Sequence, residues 1–308
     1  MLKVGFIGLG VMGGPMAMNI LKKGGFQLTV FDLNADAVAR LTKAGAKSAK
    51  SPREVAAASD IVVTMLPEPK HVEQVALGKD GIAEGFAKGG ILIEMSTIDP
   101  ITSKRVGDAL RARGMEMVDS PVGKTSEHAV SGTMTLMIGG NPGPIEKVMP
   151  VLNCMGTDKF MCGGPSMGHA MKTTNNVLAT VIMVACTEAL AMGVKSGLTI
   201  ETMTEVMKTT MAWNNQLAVA LPKKGFIGDD TPGFMVKLAC KDVRLAVELA
   251  KAQGFDALVG KATQTALERA MEQGYAERDT AALLLIKEKE LGVIVRPGNT
   301  AGKPKKIA

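Results

Sequence analysis

The chain has 308 residues, of which 46% are hydrophobic and 21% charged, and its formal net charge is +6. That length and apolar content allow two domains of ordinary size, each with its own core. Aromatic residues make up only 3%, so the 22 methionines and the aliphatic residues must fill those cores. No basic stripe is interleaved with aromatic residues, which argues against nucleic-acid binding. The 4 cysteines and 3 histidines lack metal-ligand spacing, so we expect reduced thiols and no metal site.

Short apolar runs alternate with helical patterns through the first half of the chain. The predicted strands are Val4–Ile7, Leu28–Phe31, Ile61–Met65, Ile91–Glu94 and Met115–Val118. The predicted helices are Met12–Lys23, Ala35–Lys43, Pro52–Ala58, Pro69–Ala76 and Pro100–Arg113. A strand at Thr133–Ile138, a helix at Ile145–Leu152 and a short strand near Lys159–Met161 extend the pattern. This alternation predicts an α/β Rossmann-type domain with a parallel sheet.

The first predicted strand leads directly into a glycine-rich turn that opens a helix, with the pattern GxGxxG. In such a turn the first glycine permits the tight bend, and the second lets a pyrophosphate approach the backbone. The third glycine lets helix and strand pack closely, and the free N–H groups of the helix start face the phosphates. We therefore predict a dinucleotide-binding turn. Its predicted cofactor contacts are Gly8, Leu9, Gly10, Val11, Met12 and Gly13.

The second predicted strand ends in a carboxylate, Asp32. It lies about 20 residues beyond the glycines, where an acidic residue bonds the adenosine ribose hydroxyls. The same carboxylate would repel a 2′-phosphate, and neither Leu33 nor Asn34 offers a compensating cation. We therefore predict NAD as the cofactor, with NADH preferred over NADPH.

Strand signals end at Ser166, and the rest of the chain predicts helices alone. They are Ser166–Lys195, Thr199–Thr209, Asn214–Leu221, Phe234–Gln253, Ala257–Glu272 and Asp279–Glu290. We predict Gly254, Gly274 and Gly292 at the C-terminal ends of three of them. The sequence therefore predicts a Rossmann domain at 1–163, an all-helical substrate and oligomerisation domain at 164–294, and a flexible basic tail at 295–308.

The long predicted helix, Ser166–Lys195, carries the first candidates for chemistry. Its low charge fits a buried core helix better than a membrane span, because polar residues such as Glu188 interrupt it. No charged or apolar leader precedes the first strand, so we predict a cytoplasmic protein. Near the start of the helix, Lys172 and Asn176 are four residues apart and so share one face.

Six stretches, in order along the chain, resemble one known family. They are GFIGLGVMGGPMAMN at 5–19, MLPEP at 65–69, EMSTIDP at 94–100, DSPVGKTSEHAVSGTMTLMIGG at 119–140, GPSMGHAMKTTNN at 164–176 and FMVKLACKDVRLAVELA at 234–250. Together they resemble the β-hydroxyacid dehydrogenase family, which includes 3-hydroxyisobutyrate dehydrogenase and tartronate semialdehyde reductase. The resemblance covers nearly the whole chain and implies an NAD-dependent oxidoreductase acting on a CH–OH group or the matching aldehyde.

The resemblance also implies roles for particular residues of this chain. Lys172 would be the catalytic acid/base, and Asn176 would orient the substrate beside it. Asn175 and Ala179 would contact the substrate. The residues implied near the nicotinamide half of the cofactor are Leu66, Pro67, Thr97 and Lys241.

The stretch 123–126 departs from the commonest family pattern. After D-x-P-V the family usually has S-G-G, whereas this chain has Gly123, Lys124, Thr125 and Ser126. The change adds a cation and hydroxyl donors, which suits a three-oxygen anion better than a carboxylate. It resembles the branch that reduces 3-sulfolactaldehyde, where Arg usually stands in place of Lys124. We therefore predict NADH-dependent reduction of 3-sulfolactaldehyde to 2,3-dihydroxypropane-1-sulfonate, with 123–126 binding the anion.

Two other functions stay open. The same residues would serve a carboxylate substrate such as 3-hydroxyisobutyrate, tartronate semialdehyde or succinic semialdehyde (4-hydroxybutyrate when reduced). A non-catalytic cofactor-binding protein is the second alternative, although the presence of Lys172, Asn176 and Lys241 argues against it. We expect a homodimer or homotetramer, because the short helices that follow cannot easily cover so long and apolar a helix. No membrane partner is expected.

Overall fold

A nine-stranded sheet forms the frame of the first half of the chain in the computed structural model, which describes residues 2–298. The strands are β1 (Lys3–Ile7), β2 (Gln27–Phe31), β3 (Lys47–Ser48), β4 (Ile61–Thr64), β5 (Ile91–Glu94), β6 (Glu116–Asp119), β7 (Val122–Gly123), β8 (Met134–Gly139) and β9 (Gly156–Gly163). Their order is β3-β2-β1-β4-β5-β6-β8-β7, with β9 also paired to β8.

The parallel part of the sheet, β3 to β6, confirms the predicted Rossmann arrangement. Strand order reverses at β1, which lies between β2 and β4. The last residues of four neighbouring strands are register partners across the sheet: Ile7, Thr64, Glu94 and Asp119. We call this line the carboxyl edge of the sheet. Ligands of open α/β sheets bind beyond such an edge, near the point where the strand order reverses.

Helices cover both faces of this sheet. They are α1 (Gly13–Lys23), α2 (Ala35–Lys43), α3 (Pro52–Ala57), α4 (Pro69–Leu77), α5 (Ile82–Gly85), α6 (Pro100–Arg111), α7 (Ser126–Ser131) and α8 (Pro142–Leu152). Asn34, Ser51 and Asp99 cap α2, α3 and α6 by accepting N–H groups of the first turn. One apolar core includes Phe6 and a second includes Ile7, since alternate strand residues face opposite sides. Burial on both faces explains why the central strands β1, β4 and β5 are mostly apolar.

The far end of the sheet differs from the predicted all-parallel arrangement. Strand β8 runs antiparallel to β6 and β7, and only β9 returns parallel to β8. Between β7 and β8 the chain has room for one short helix, α7, whereas a parallel crossover needs a longer connection packed on a sheet face. The sequence analysis also missed β3, β7, α5 and α7. The two strands have 2 residues each and show no period, and the two helices have only 4 and 6 residues.

The long predicted helix is present as α9 (Met167–Lys195). By length and composition it could cross a membrane, but the core helix of a soluble protein passes the same test. Met183, Cys186, Leu190 and Ala191 lie in an apolar core formed by the second half of the chain. Helix α9 is therefore a core helix, as predicted.

The second half of the chain is helical, as predicted. After α9 come α10 (Ile200–Lys208), α11 (Leu221–Lys223), α12 (Val236–Ala252), α13 (Leu258–Ala270) and α14 (Ala282–Leu291). Two π-helical segments, Gln216–Ala220 and Met271–Tyr275, interrupt the predicted helices around them. Gly254, Gly274 and Gly292 all have positive φ, as expected where a chain leaves a helix.

The unit boundaries differ from the predicted ones. The chain divides into Met1–Thr174 and Asn175–Ala308, so the first turns of α9 belong to the sheet-containing unit rather than to the helical one. The predicted tail at 295–308 also begins too early. Val295 is fully buried in the apolar core of the second half of the chain, and its N–H donates to Glu288. The remainder of that tail, 299–308, lies outside the described residues.

Candidate active site

The glycine-rich turn between β1 and α1 leaves space at one glycine and none at the other two. A Cβ at Gly8, whose φ is +94°, would collide with the carbonyl oxygen of Met65. A Cβ at Gly13 would collide with the carbonyl oxygen of Gly8. A Cβ at Gly10 would meet no atom within 4 Å. The first two glycines are therefore required by the fold, and the open space at Gly10 fits the approach of a dinucleotide pyrophosphate.

The other predicted residues of this turn differ in exposure. Val11 is 70% exposed, whereas the side chain of Leu9 is fully buried in the core and leaves only its backbone at the turn. Met12 packs partly against the same core. The side chain of Leu9 therefore has a structural role, and the predicted contact of this residue with the cofactor, through its backbone, stays a prediction.

Asp32 stands at the end of β2, and its carboxylate joins the two neighbouring turns. Its Oδ2 accepts from the Leu9 N–H at 2.5 Å, and its Oδ1 accepts from the Asn34 N–H at 2.7 Å. These bonds fix the carboxylate beside the glycine-rich turn. Leu33, immediately after it, is 94% exposed. This geometry fits the adenosine half of a dinucleotide, where a carboxylate binds the ribose.

Three residues predicted near the nicotinamide follow β4 and β5 at the carboxyl edge. Leu66 and Thr97 are half-buried, and Pro67 is exposed. The N–H of Leu66 donates to Oγ of Ser96 at 2.8 Å, which joins the two segments. The structure thus brings these residues to one edge of the sheet, and their contact with a cofactor stays a prediction.

Behind these segments lies a carboxyl group, Glu94, that no solvent reaches. Burial raises its pKa to about 7, and the nearby charge of Asp119 adds to this, while hydrogen bonds from Ser96 and Thr64 oppose it. The Ser96 N–H donates to Oε1 at 2.7 Å, and the Thr64 hydroxyl donates to Oε2. The carboxyl edge therefore contains an acid that titrates near neutral pH.

Lys172, the predicted acid/base, lies two turns into α9 and is 9% exposed. Its Nζ donates to the carbonyl oxygen of Val122 at 2.7 Å. Val122 immediately precedes the stretch predicted to bind the substrate anion, Gly123 to Ser126, which we call loop 123–126. The structure therefore brings the predicted proton donor to the base of the predicted anion site.

Within loop 123–126, Lys124 has a φ of +75°, a conformation that favours glycine. Glycine is the residue that the commonest family pattern has at this place. The Nζ of Lys124 donates to Oδ2 of Asp158 at 2.6 Å and to the carbonyl oxygen of Thr133 at 2.8 Å. The Lys124 side chain is 31% exposed. Its charge is therefore already paired with a carboxylate on β9, which the sequence did not indicate.

The hydroxyl groups of loop 123–126 are at the surface or only partly covered. Oγ1 of Thr125 lies 3.0 Å from Nδ1 of His128, and Ser126 begins α7. Gly123 is half-buried and pairs with Thr135 of β8. The loop is thus anchored at both ends with its polar side chains accessible.

In the second unit, the two predicted asparagines and Lys241 form one polar chain. Nδ2 of Asn176 donates to Oδ2 of Asp242 at 2.6 Å, and Nδ2 of Asn175 donates to Oδ1 of Asn176 at 3.1 Å. Nζ of Lys241 lies 3.1 Å from Oδ1 of Asp242. The buried Asp242 therefore fixes the amide orientation of Asn176 and balances the charge of Lys241. Ala179 is half-buried, and its carbonyl oxygen accepts from Gln216 at 3.0 Å.

Comparison with known proteins identifies relatives over nearly the whole chain. A family model described as the NAD binding domain of 6-phosphogluconate dehydrogenase matches residues 3–164. A second, described as NAD-binding of NADP-dependent 3-hydroxyisobutyrate dehydrogenase, matches residues 166–286. An NAD-dependent L-serine dehydrogenase of Pseudomonas aeruginosa is 39% identical, over 91% of this chain and 95% of its own. The chain belongs to the β-hydroxyacid dehydrogenase family.

Further members of the β-hydroxyacid dehydrogenase family match more than nine tenths of the chain. The 3-sulfolactaldehyde reductase of Escherichia coli is 35% identical, over 92% of this chain and 95% of its own. A solved structure of 3-hydroxyisobutyrate dehydrogenase from Mycobacterium tuberculosis with L-serine has a TM-score of 0.86 at 27% identity, covering 93% of this chain and 99% of that one. The family predicted from the motifs is confirmed, and this β-hydroxyacid dehydrogenase is an oxidoreductase with a dinucleotide-binding domain.

Sequence reasoning missed several polar residues of the candidate site. Asp158 and Asp242 pair with the two lysines already predicted, and Glu94 and Asp119 lie behind the cofactor segments. Asp119 and Asp242 stand inside matched stretches, and Asp242 directly follows the predicted Lys241. Asp158 has no motif around it, and only the strand pairing of β8 with β9 brings it to Lys124.

Proposed function

We propose that this β-hydroxyacid dehydrogenase reduces 3-sulfolactaldehyde to 2,3-dihydroxypropane-1-sulfonate with NADH and catalyses the reverse oxidation. One observation carries the proposal: the Lys172 ammonium bonds the Val122 carbonyl at the base of loop 123–126. A proton donor and an anion-binding loop therefore adjoin one another within one unit, as a small three-carbon substrate requires. The reductase of Escherichia coli, 35% identical, supports the same substrate.

The chemistry divides between cofactor and protein. When bound, NADH supplies the hydride that adds to the aldehyde carbon. Lys172 gives a proton to the alkoxide oxygen formed, and takes it back in the reverse direction. Asn176, with its amide fixed by Asp242, donates to or accepts from the substrate oxygens beside it. Asn175 and Ala179 contribute further substrate contacts, and Lys241 adds positive charge for the anionic reactants.

Loop 123–126 selects the anionic end of the substrate. Thr125 and Ser126 contribute hydroxyl donors, and Gly123 contributes backbone contacts to the substrate. Lys124 adds a cation, which must be shared with Asp158 because the two side chains are 2.6 Å apart. A sulfonate has three oxygens that can receive these donors at once.

A carboxylate β-hydroxy acid is the second candidate substrate. The pairing of Lys124 with Asp158 favours it, because the extra cation of the loop is then partly neutralised. The L-serine dehydrogenase at 39% identity supports it as well. The residues proposed for proton transfer are the same for both candidates.

Steady-state kinetics on the purified enzyme separate the two candidates. We expect the highest kcat/KM for 3-sulfolactaldehyde with NADH, and for 2,3-dihydroxypropane-1-sulfonate with NAD in the reverse direction. Succinic, tartronate and methylmalonate semialdehydes serve as the carboxylate panel, with 3-hydroxyisobutyrate and L-serine in reverse. A higher value for any carboxylate would establish the second candidate instead.

We propose NADH as the preferred cofactor over NADPH. The carboxylate of Asp32 is fixed beside the glycine-rich turn by the Leu9 and Asn34 N–H groups, where a 2′-phosphate would meet its charge. The kcat/KM ratio for the two cofactors tests this directly, and a preference for NADPH would reject it.

We further propose a cytoplasmic homodimer or homotetramer. Four large apolar side chains on α9 support self-association, since Met167 and Met171 are each 42%, Leu178 is 59% and Met192 is 65% exposed. The four free cysteines suit a reducing compartment. Size-exclusion chromatography with light-scattering detection measures the molecular mass in solution, and the mass of a monomer would contradict the proposal.

A further inference from the structure

The buried carboxylate of Asp119 accepts hydrogen bonds from two backbone N–H groups at the start of α9. It ends β6 and is 1% exposed. Its Oδ1 accepts from the Ser166 N–H at 2.7 Å, and its Oδ2 accepts from the His169 N–H at 2.9 Å. Both oxygens therefore hold backbone donors of a single helix start, where such donors have no partner within the helix. No matched motif assigns this residue a function.

The imidazole of His169 connects the start of α9 to two further segments by hydrogen bonds. The ring is fully buried, with Nδ1 2.9 Å from Oγ of Ser103 on α6. Its Nε2 lies 3.0 Å from the carbonyl oxygen of Ser96, just beyond β5. The beginning of α9 is thus attached to three elements that meet near the carboxyl edge of the sheet.

Two glycines make this contact unusually close. A Cβ at Gly168 would collide with the carbonyl oxygen of Met137 and would lie 2.8 Å from Oδ2 of Asp119. A Cβ at Gly139 would lie 2.6 Å from the N–H nitrogen of Gly168 and 2.7 Å from Oδ1 of Asp119. Backbone, carboxylate and helix therefore meet without room for another carbon atom, so the helix start has little freedom to shift.

The segment that holds the helix start also receives the ammonium of Lys172. Lys172 follows His169 by one turn, and the Thr173 hydroxyl bonds the His169 carbonyl at 2.9 Å within that turn. The Lys172 Nζ bonds the carbonyl oxygen of Val122, three residues beyond Asp119. The segment 119–122 therefore contacts both the start of α9 and the ammonium of Lys172, the proposed proton donor.

We infer that Asp119, together with the ring of His169, is a positioning residue that sets the place of Lys172. The inference rests on the proposed role of Lys172. A carboxylate is needed because it offers two acceptors, whereas an amide would turn its NH₂ toward one of the two N–H donors. The helix start would then shift, and a displacement of about 1 Å at a reacting group can cost about 100-fold in rate.

The test compares Asp119→Asn with a matched buried carboxylate. We expect Asp119→Asn to lower kcat by about 10- to 100-fold while the Kd for NADH is unchanged. The control is Asp279→Asn in the second unit, because Asp279 is 6% exposed and its Oδ2 also accepts two backbone N–H groups, from Gly233 and Phe234, at 2.9 Å each. We expect that control to lower Tm and to leave kcat unchanged. An equal loss of kcat in both variants would overturn the inference.

A double-mutant cycle separates positioning from general support. In a Lys172→Met background, Asp119→Asn should cause no further loss, since its effect passes through Lys172. The same fold-loss in both backgrounds would overturn the inference and leave the role of Lys172 intact. Normal turnover of Lys172→Met alone would instead reject the proposed function.

If Asp119→Asn does not fold, a second variant tests whether the start of α9 positions Lys172. His169→Phe keeps the buried ring volume and the backbone N–H to Asp119 but removes the bonds to Ser103 and Ser96. We expect a smaller loss of kcat that also vanishes in the Lys172→Met background. A loss that persists there, or no loss at all, would overturn the inference.

Discussion

Two lysines of the first unit, Lys172 and Lys124, stand in opposite settings. Lys172 is buried on a helix whose start is held by a carboxylate and a histidine, and its ammonium bonds a neutral carbonyl. Lys124 is about a third exposed on a loop, in a backbone conformation suited to glycine, and its ammonium bonds the carboxylate of Asp158.

Under the proposed function, this difference separates the proton-transfer step from the choice of substrate. A proton donor must be held in one place, which burial and several hydrogen bonds achieve. A lysine that binds the far end of a substrate can exchange one partner for another, because a partly exposed ion pair contributes only about 0.2–1 kcal/mol. We therefore expect changes around Lys172 to alter kcat strongly, and changes around Lys124 to alter KM modestly.

The largest expected effect tests the buried lysine. Lys172→Ala should lower kcat by at least about 100-fold, the lower range for loss of a positioned proton donor. Binding of NADH, measured by fluorescence titration, should be unchanged. Lys147→Ala, an exposed lysine of α8, serves as the control and should keep normal turnover. Near-normal turnover of Lys172→Ala would reject Lys172 as the proton donor, and with it the contrast with Lys124.

The next effect is the pH dependence of the free energy of unfolding that the buried Glu94 causes. The pKa of Glu94 is raised to about 7 from 4.5, chiefly by burial, so the folded state keeps a proton that the unfolded state releases between these values. The stabilisation is therefore complete below pH 4.5 and is lost as the pH rises through 7. We expect a decrease on the order of 3 kcal/mol in the free energy of unfolding across this window.

Urea unfolding at several pH values measures this dependence. Glu94→Gln keeps the shape and an acceptor for the Ser96 N–H but cannot ionise, so its free energy of unfolding should fall less over the same window. Asp119 and His169 remain in both proteins, which makes the difference between the two curves specific to Glu94. Parallel curves would show that this acid does not titrate near neutral pH.

The smallest expected effect tests the exposed lysine. Lys124→Ala should raise KM for anionic aldehydes more than for neutral ones. Asp158→Asn should lower KM for the anionic aldehydes by about 2- to 5-fold, because it releases the ammonium from a pair of this strength. In the double variant Lys124→Ala with Asp158→Asn, the benefit of the second change should disappear. Equal effects on charged and neutral aldehydes would leave Lys124 a structural residue.

Much of the site could be predicted because its signals are local. The glycine-rich turn, Asp32 and the Lys172–Asn176 pair depend on spacings of a few to about twenty residues, which helix and strand periods translate into position. The partners Asp158 and Asp242 could not be predicted in the same way. Asp158 is 34 residues from Lys124 and Asp242 is 66 residues from Asn176 along the chain, and only strand pairing or helix packing brings these groups together.

The sequence by itself determined the family, the Rossmann unit with its dinucleotide turn and the helical second half, and it predicts the residues that carry the reaction. These follow from apolar periodicity and from short motifs, which act over one or two turns of chain. The tertiary structure decided that β8 runs antiparallel, that the first turns of α9 belong with the sheet, and that Lys124 is already paired. Those outcomes depend on which distant segments pair as strands or bind the same carboxylate. Residue spacing within a short stretch of sequence carries no information about such long-range contacts.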